Sequence, residues 1–402
     1  MFRSRIAVLS RRFGTLNILG IETSCDDTAV AIVNSEKKIL AGERFTNRSV
    51  QKTMGGINPS VCAQQHKETL PLLIDKCLKT SGISPDKLDA VAVTVTPGLV
   101  IALKEGISAA IEFAKKYNLP LIPVHHMRAH ALSILLTRND IQFPFHTFLL
   151  SGGHAIISVA NSADDFVLFG TSVSGSPGEC IDKVAREIEM GEQFNNIHPG
   201  AAVELLAASA SSDGHLRYSS VLPCTSGADM NFSQLKSTYL NIARKVRTES
   251  DFSVPDFCAS LQHSVASHIV SKLHTYFDWI STEDTGIISN QLVVGGGVAS
   301  NNYILNAIRK VASSYNIETF QVPAHLCTDN AEMIAYTGHL LLQNRSQSII
   351  PANVIPESIY AHARTEIGSD ERFRVSQKPK KRLAVSTIYG DLPIRFHENY
   401  KK

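Results

Sequence analysis

Two histidines four residues apart, His126 and His130, lie in the stretch VHHMRAHAL. On a helix this spacing places both imidazoles on one face, one turn apart, where they could bind a divalent metal ion. The zinc-protease version of the pair is HExxH, whose glutamate acts as general base, and Met127 occupies that position here. The spacing therefore indicates a metal site without a protease base, although a purely structural pair has the same spacing.

A third metal ligand is available in the stretch HLCTDNAEMIAY, where a loop gives way to an apolar-periodic helix. Asp329 lies at this boundary, and Asp is also a favoured helix N-cap, so the local sequence fits either role. A site of two histidines and one aspartate with open coordination positions suits zinc or iron(II). Open positions make such a metal catalytic or ligand-binding rather than structural.

Three polar or glycine-rich turns could hold phosphate groups. The first, ETSCDDT, follows an apolar strand and contains Asp26 and Asp27. The second, LLSGGH, repeats this layout of strand, turn and strand, and the third, VVGGGVASN, leads into a helix predicted over 302–312, with Ser300 or Asn301 as its cap. Backbone N–H groups at such turns can contact phosphate oxygens. The repetition predicts a duplicated two-lobe α/β fold that holds a nucleotide between the lobes.

The chain has 402 residues, of which 44% are hydrophobic and 19% charged. This length and composition predict a globular protein of two domains. Membrane insertion is not expected, because no apolar run approaches the roughly 20 residues that a bilayer requires. The seven cysteines are odd in number and never spaced as CxxC. This pattern disfavours a disulfide framework or a cysteine zinc ribbon, and favours a reducing compartment.

The two ends of the chain are basic. Residues 1–16 contain Arg3, Arg5, Arg11 and Arg12 and no acid, a composition typical of a mitochondrial transit peptide, with a basic arm on a cytosolic protein as the alternative. Removal of these four arginines changes the formal net charge from +2 to −2, so nucleic acid could bind only through a local basic patch. The stretch KPKKRL near the other end indicates a solvated tail or a contact with a nucleic-acid backbone.

Six motifs occur in a familiar order and spacing: GIETSCDDTAVAIV, TPGL, VHHMRAHAL, LLSGGH, GGGVASN and CTDNAEMIAY. Over residues 17–345 the chain resembles the TsaD family of tRNA N6-adenosine threonylcarbamoyltransferases, and its arginine-rich start resembles the mitochondrial branch. The resemblance implies an α/β actin-like ATPase (ASKHA) fold. The expected divisions are a transit peptide at 1–16, an N-terminal lobe at 17–146, a C-terminal lobe at 147–345 and an extension with a basic tail at 346–402.

The resemblance also implies a reaction. Family members transfer the threonylcarbamoyl group from threonylcarbamoyl-adenylate to N6 of adenosine 37, in tRNAs that read codons beginning with A, and release AMP. A separate synthase supplies the donor. We therefore expect a homodimeric enzyme of the mitochondrial matrix that acts on tRNA.

Roles for individual residues follow from the same resemblance. His126, His130 and Asp329 correspond to the ligands of one divalent metal ion per subunit, iron or zinc. The residues that correspond to contacts with the adenylate are Leu149, Leu150, Ser151, Gly152, Gly153, Asp182, Gly200, Ala201 and Asn301. The group that accepts the N6 proton is left open between Asp26, Asp27 and the phosphate of the donor.

Two departures from the family pattern and three rival functions bear on these expectations. One is the stretch DMNFSQLK, which keeps Phe232 and Ser233 of the family's DFSFSGLK but has Gln234 where relatives have a small residue. In the other, the chain reads HPGAAVE where relatives have Pro-Gly-Gly, so Ala201 replaces a glycine and would threaten any positive-φ conformation there. The rivals are an ATP-dependent small-molecule kinase or hydrolase of the same superfamily, a metalloprotease, and a catalytically silent subunit. Met127 disfavours the protease, because it stands where the general base would be.

Overall fold

The computed structural model describes residues 15–47, 57–188, 190–194 and 197–375. The expected transit peptide lies outside the described residues except for its last two positions, and the basic tail from residue 376 lies wholly outside them. Within the described residues, strands and helices are interspersed along the chain and parallel strands are joined through helices, which confirms the α/β class. No helix among these residues is long and apolar enough to cross a membrane.

Twelve strands lie within the described residues. They are β1 (Asn17–Glu22), β2 (Thr28–Asn34), β3 (Ile39–Phe45), β4 (Ala90–Thr96), β5 (Leu121–His125), β6 (Phe145–Leu150), β7 (Ala155–Ala160), β8 (Phe166–Ser174), β9 (Met230–Asn231), β10 (Gln291–Gly295), β11 (Glu318–Gln321) and β12 (Ser369–Asp370).

The α-helices range from single turns to a long central helix. They are α1 (Pro59–Ser81), α2 (Val100–Tyr117), α3 (His126–Leu132), α4 (Ile134–Thr137), α5 (Pro177–Glu187), α6 (Pro199–Ala207), α7 (Gly214–Arg217), α8 (Phe232–Val246), α9 (Val254–Thr282), α10 (Asn302–Ser313) and α11 (Ala331–Gln343).

The first compact unit comprises residues 1–137 and 329–365, as far as they are described. Its sheet has the strand order β3-β2-β1-β4-β5, with β1, β4 and β5 parallel and β2 antiparallel to both of its neighbours. Alternate β1 residues Leu19 and Ile21 join the core that α1 and α2 cover. On the other face α11 packs closely, because a Cβ atom at Gly20 would lie 2.4 Å from the carbonyl oxygen of Ala331.

The parallel strands of this unit bring their carboxyl ends to one edge of the sheet. There β1 ends at Glu22, β4 ends at Thr96, and β5 ends at His125, directly before α3. Open α/β sheets bind their ligands at this edge, because the loops and helix N-termini that follow the strands converge there.

The second unit comprises residues 138–328 and 366–402, described as far as residue 375. Its sheet has the order β11-β10-β6-β7-β8-β12, and β9 pairs with β8. The strands β8-β7-β6-β10-β11 repeat the order and the directions of β3-β2-β1-β4-β5 in the first unit. The duplication inferred from the two turns is therefore confirmed by the topology. The core of this unit surrounds α9, most of whose residues are buried.

The division into units differs from the expected lobes at 17–146 and 147–345. The chain returns to the first unit at residue 329, because α11 packs on the sheet of that unit. His339 of α11, for example, lies with its Nε2 atom 2.9 Å from the carbonyl oxygen of Val33 in β2. An amphipathic helix shows which face it buries, but its sequence does not show which sheet covers that face.

Candidate functional site

The histidine pair lies at the carboxyl edge of the first sheet. His126 is the first residue of α3, directly after β5, and His130 follows one turn later. Both side chains are buried, since His126 is 8% exposed and His130 is 6% exposed. The two rings stand edge to face with centroids 4.6 Å apart. Met127 is 2% exposed and belongs to the core, so the place of the protease base holds an apolar side chain.

Asp329 faces both histidines. Its Oδ1 atom lies 3.1 Å from Nε2 of His130 and 3.4 Å from Nε2 of His126. The N-cap of α11 is instead Asn330, whose Oδ1 accepts a hydrogen bond of 2.8 Å from the N–H of Met333. The alternative role of Asp329 as an N-cap is therefore excluded, and its carboxylate is directed at the imidazoles.

These three side chains form a group that fits a divalent metal ion. One candidate ligand atom from each of them lies within 4.8 Å of the others. Two imidazole nitrogens and one carboxylate oxygen are the donor set of many zinc and non-haem iron(II) sites. The sequence-predicted ligands therefore come together in one place.

A fourth residue, Glu22, was missed by the sequence analysis. It is fully buried, and its Oε2 atom lies 3.1 Å from Nδ1 of His126. The N–H of Ser24 donates to its Oε1 atom at 2.5 Å, and the hydroxyl of Thr94 donates to Oε2. The available signal was an acid that ends the otherwise apolar strand NILGIE, where the next loop carries the first polar turn.

The site favours positive charge. Burial alone would lower the pKa of His126, but the charges of Glu22 and Asp329 raise it to about 10. Burial would likewise raise the pKa of Asp329, whereas His126 and His130 hold it well below its usual range. Two carboxylates around two imidazoles stabilise a positive charge, and their negative potential would also stabilise a bound divalent metal ion.

The first polar turn lies in the same unit. The hydroxyl of Thr46 donates a hydrogen bond to the carboxylate of Asp27. Burial raises the pKa of Asp27 to about 6, and the negative charges of Asp329 and Asp26 also raise it. The turn is held from α1, because Nε2 of Gln65 donates to the carbonyl oxygen of Asp26 at 2.8 Å. Asp27 can therefore exchange a proton near neutral pH.

The second turn, Ser151–Gly153, joins β6 to β7 in the second unit. The hydroxyl of Ser151 accepts hydrogen bonds from the N–H groups of Gly153 and His154, at 3.2 and 3.0 Å. A Cβ atom at Gly152 or Gly153 would meet nothing within 4 Å, so the backbone is open on this side. The side chains of Leu149 and Leu150 are buried in the sheet, so their contact with a ligand would be through the backbone.

Asp182 lies close to this turn in the same unit. Gly178, at the start of α5, packs against the turn so closely that a Cβ atom on it would lie 2.8 Å from Cα of Gly152. Asp182 follows Gly178 by one turn of α5. Burial raises the pKa of Asp182, against the charges of His198 and Arg186.

Gly200 and Ala201 form the first turn of α6, and neither has a positive φ. The concern that Ala201 would strain a left-handed conformation was therefore wrong, since the backbone there is helical.

Asn301 caps α10. Its Oδ1 accepts from the N–H of Ile304 at 3.0 Å, and its Nδ2 donates to Gln262 at 2.8 Å, so both ends of the amide already have protein partners. Beside it lies a cavity of about 410 Å³, lined among others by Glu204, Gln262 and Tyr303. Glu204 follows Gly200 by one helical turn and therefore lies on the same face of α6.

The predicted site residues thus form two groups, each within one unit. Asp26, Asp27, His126, His130 and Asp329 belong to the first unit. The other group, which belongs to the second unit, consists of Leu149, Leu150, Ser151, Gly152, Gly153, Asp182, Gly200, Ala201 and Asn301.

The chain is similar to known proteins in sequence. Residues 38–336 match the family model described as TsaD, tRNA N6-adenosine threonylcarbamoyltransferase. The chain is 59% identical over 394 residues to the probable tRNA N6-adenosine threonylcarbamoyltransferase, mitochondrial, of Caenorhabditis elegans, covering 96% of this chain and 93% of that protein. It is 35% identical over 331 residues to the mitochondrial enzyme of the same name from Homo sapiens, covering 80% of each. Among solved structures, T. kodakarensis HypF aligns with a TM-score of 0.49 and 14% identity, over 82% of this chain and 48% of that one.

Proposed function

The chain belongs to the TsaD family of tRNA N6-adenosine threonylcarbamoyltransferases, and on this premise we propose how it performs the reaction. It is a mitochondrial transferase that forms threonylcarbamoyladenosine in mitochondrial tRNA. We propose that threonylcarbamoyl-adenylate is the donor and that N6 of adenosine 37 is the acceptor. The nitrogen attacks the carbamoyl carbon, the bond from that carbon to the phosphate oxygen breaks, and AMP leaves with the electron pair.

The group of His126, His130 and Asp329 is the observation that carries this proposal, because it distinguishes the chain from a generic ATPase of similar fold. We propose that these three residues bind one divalent metal ion per subunit, zinc or iron(II). The metal would act as a Lewis acid that stabilises the charge on the departing phosphate. Burial of the imidazoles excludes water from their side of the site, and Glu22 orients the ring of His126.

The donor nucleotide is assigned to the second unit. The open backbone at Gly152, next to the N-terminus of α5, suits the phosphate, because the helix dipole favours an anion there, while the N–H of Gly153 is already donated to Ser151. Asp182, one turn along α5, is placed for a ribose hydroxyl. The cavity beside Asn301, with Glu204 at its wall, has the polar and aromatic lining that a purine base requires.

The proton released from N6 is assigned to Asp27. Its raised pKa of about 6 leaves it ionised at neutral pH and yet basic enough to accept a proton. Asp26 and the donor phosphate are the alternatives. The resemblance to the TsaD family supports three further parts of the proposal. These are tRNA as the acceptor substrate, a separate synthase that makes the donor, and a homodimeric enzyme of the matrix.

One assay tests the proposed donor and acceptor. Purified protein is incubated with threonylcarbamoyl-adenylate and unmodified mitochondrial tRNA in the absence of ATP, and the nucleosides are analysed by mass spectrometry. We expect threonylcarbamoyladenosine and an equal amount of AMP. No product, together with ATP-dependent phosphorylation of a small molecule, would contradict the transferase and favour the kinase alternative.

A further inference from the structure

Positive charge in the second unit is concentrated on two helices, α5 and α8. The described residues of this unit include 13 lysines and arginines against 20 aspartates and glutamates. Six of the cations belong to α5, α8 and the residue after α8, where only three acids lie, so the remainder has 7 cations for 17 acids. The six are Lys183, Arg186, Lys236, Arg244, Lys245 and Arg247, which together form the α5–α8 basic surface. It is a positive area on an acidic unit.

Shared ion pairs connect the two helices. Glu179 of α5 lies 2.7 Å from Nζ of Lys183 and 2.9 Å from Nζ of Lys236. Glu187, near the other end of α5, lies 3.4 Å from both Arg244 and Arg247. Because each of these carboxylates serves two cations, only half of the paired positive charge is neutralised. The surface therefore keeps net positive charge in a fixed arrangement.

Five of the six cations of this surface are exposed to a large anionic partner, and the exception is Lys236, whose side chain is 18% exposed. The side chains of Arg244 and Arg247 are 57% and 51% exposed, and that of Lys183 is 57% exposed. A guanidinium group has five N–H donors, and the contact of each arginine with Glu187 occupies few of them. Arginine binds phosphate well because its planar array of donors matches the oxygen geometry.

The α5–α8 basic surface lies on the helix that begins at the proposed donor site. Gly178 at the start of α5 packs against Gly152, and α5 has 11 residues. A helix of this length spans about 16 Å. Lys183 and Arg186 therefore lie within the reach of a few nucleotides of a base presented beside Gly152.

We propose that the α5–α8 basic surface binds the phosphodiester backbone of the tRNA whose adenosine is modified. The inference rests on the proposed function, since that function is what brings an RNA to the glycine turn. Contacts of this kind position the RNA without reading its sequence. They also supply the local basic patch that this acidic unit needs in order to bind a polyanion.

The test compares tRNA affinity at several salt concentrations. The double variant Arg244→Gln with Arg247→Gln is made in the full chain, and binding of unmodified tRNA is followed by fluorescence anisotropy between low and moderate KCl. Each lost phosphate contact lowers the slope of log K against log salt by about 0.7 to 0.9, so we expect a total decrease of up to about 1.8. The KM for tRNA rises while kcat at saturating tRNA is retained.

A matched control and an opposite variant complete the experiment. Arg309→Gln with Lys310→Gln makes the same charge change at exposed positions of α10 in the same unit, and we expect no change in its slope. Glu187→Gln breaks the same ion pairs as the arginine variant but keeps the cations, so it should bind tRNA more tightly and with a steeper slope. This opposite sign separates RNA binding from any loss of stability.

The outcomes distinguish this inference from the proposed function. Wild-type protein that binds and modifies tRNA, with unchanged slopes for both the arginine variant and Glu187→Gln, would overturn the assignment of the surface alone. A surface that serves an acidic protein partner would give that result. Wild-type protein that neither binds nor modifies tRNA would overturn the proposed function itself, and this inference with it.

Discussion

The Oε2 atom of Glu22 lies 3.1 Å from Nδ1 of His126, at the carboxyl end of β1. A carboxylate can only accept, so Nδ1 carries a hydrogen, and Nε2, which faces Asp329, is the nitrogen that a metal ion would bind after displacing its proton. Ser24 and Thr94 fix Glu22 in turn through hydrogen bonds to its two oxygens. A ligand histidine whose other nitrogen is held by a carboxylate has a fixed tautomer, a fixed orientation and a raised basicity.

We therefore expect Glu22→Gln to weaken metal binding by about 10- to 100-fold, the usual effect of losing such a partner. The measurement is chelator competition for zinc on the purified protein, with the melting temperature followed in parallel. Glu36→Gln is the matched control, because that carboxylate lies at the surface, where it accepts a hydrogen bond from Thr15. Equal affinity in the Glu22 variant and the control would show that Glu22 does not position the ligand.

Asp329 and Asn330 offer a test that separates a ligand from a cap. We expect His126→Ala and Asp329→Ala to lose bound metal and activity together. Asn330→Ala should keep its metal but lose about 1 kcal/mol of unfolding free energy, because it removes the N-cap of α11. Metal content by mass spectrometry and urea unfolding provide the two readouts. A full metal equivalent in both ligand variants would refute the assignment.

The sequence predicted those elements whose signals are local. The strand and turn pattern around Asp26 recurs at Ser151, and the sheets repeat one topology. The helix predicted over 302–312 is observed at Asn302–Ser313, with Asn301 as its cap. In each case the residues that specify the element are neighbours in the chain, so propensity and periodicity suffice.

What the sequence left open depends on contacts between distant residues. Asp329 and Asn330 are both good caps, and only the contact of Asp329 with His126 and His130 decides between them. Glu22 ends a strand, and nothing local shows that its side chain faces an imidazole 104 residues away. The return of α11 to the first unit is equally a matter of tertiary packing.

The role of Asp27 as proton acceptor predicts a pH dependence. A base works when ionised, and burial raises the pKa of Asp27 to about 6, so the rate should fall as the pH drops through about 6. Asp27→Asn should lose about 10²- to 10⁴-fold in rate. The single-turnover rate is measured from pH 5 to 8. Asp26→Asn is the control, and we expect its rate to fall at low pH as the wild-type rate does. A wild-type rate that is flat down to pH 5 would exclude Asp27.

Buried histidines should make the second unit acid-sensitive. Burial lowers the pKa of His146 to about 4, and those of His263 and His268 to about 3, against about 6.5 in an unfolded chain. Between pH 6.5 and 5 the unfolded state therefore binds more protons than the folded state, so stability falls as the pH falls. The slope is at most about 1.4 kcal/mol per pH unit for each histidine.

The chain's single tryptophan, Trp279, is buried in this unit and reports its urea unfolding by fluorescence. His146→Gln should reduce the pH slope of the unfolding free energy by about one proton, because one of the three groups no longer titrates. His325→Gln, at an exposed histidine of the same unit, should leave the slope unchanged. If the wild-type free energy of unfolding is constant from pH 6.5 to 5, the three histidines are not held neutral by burial.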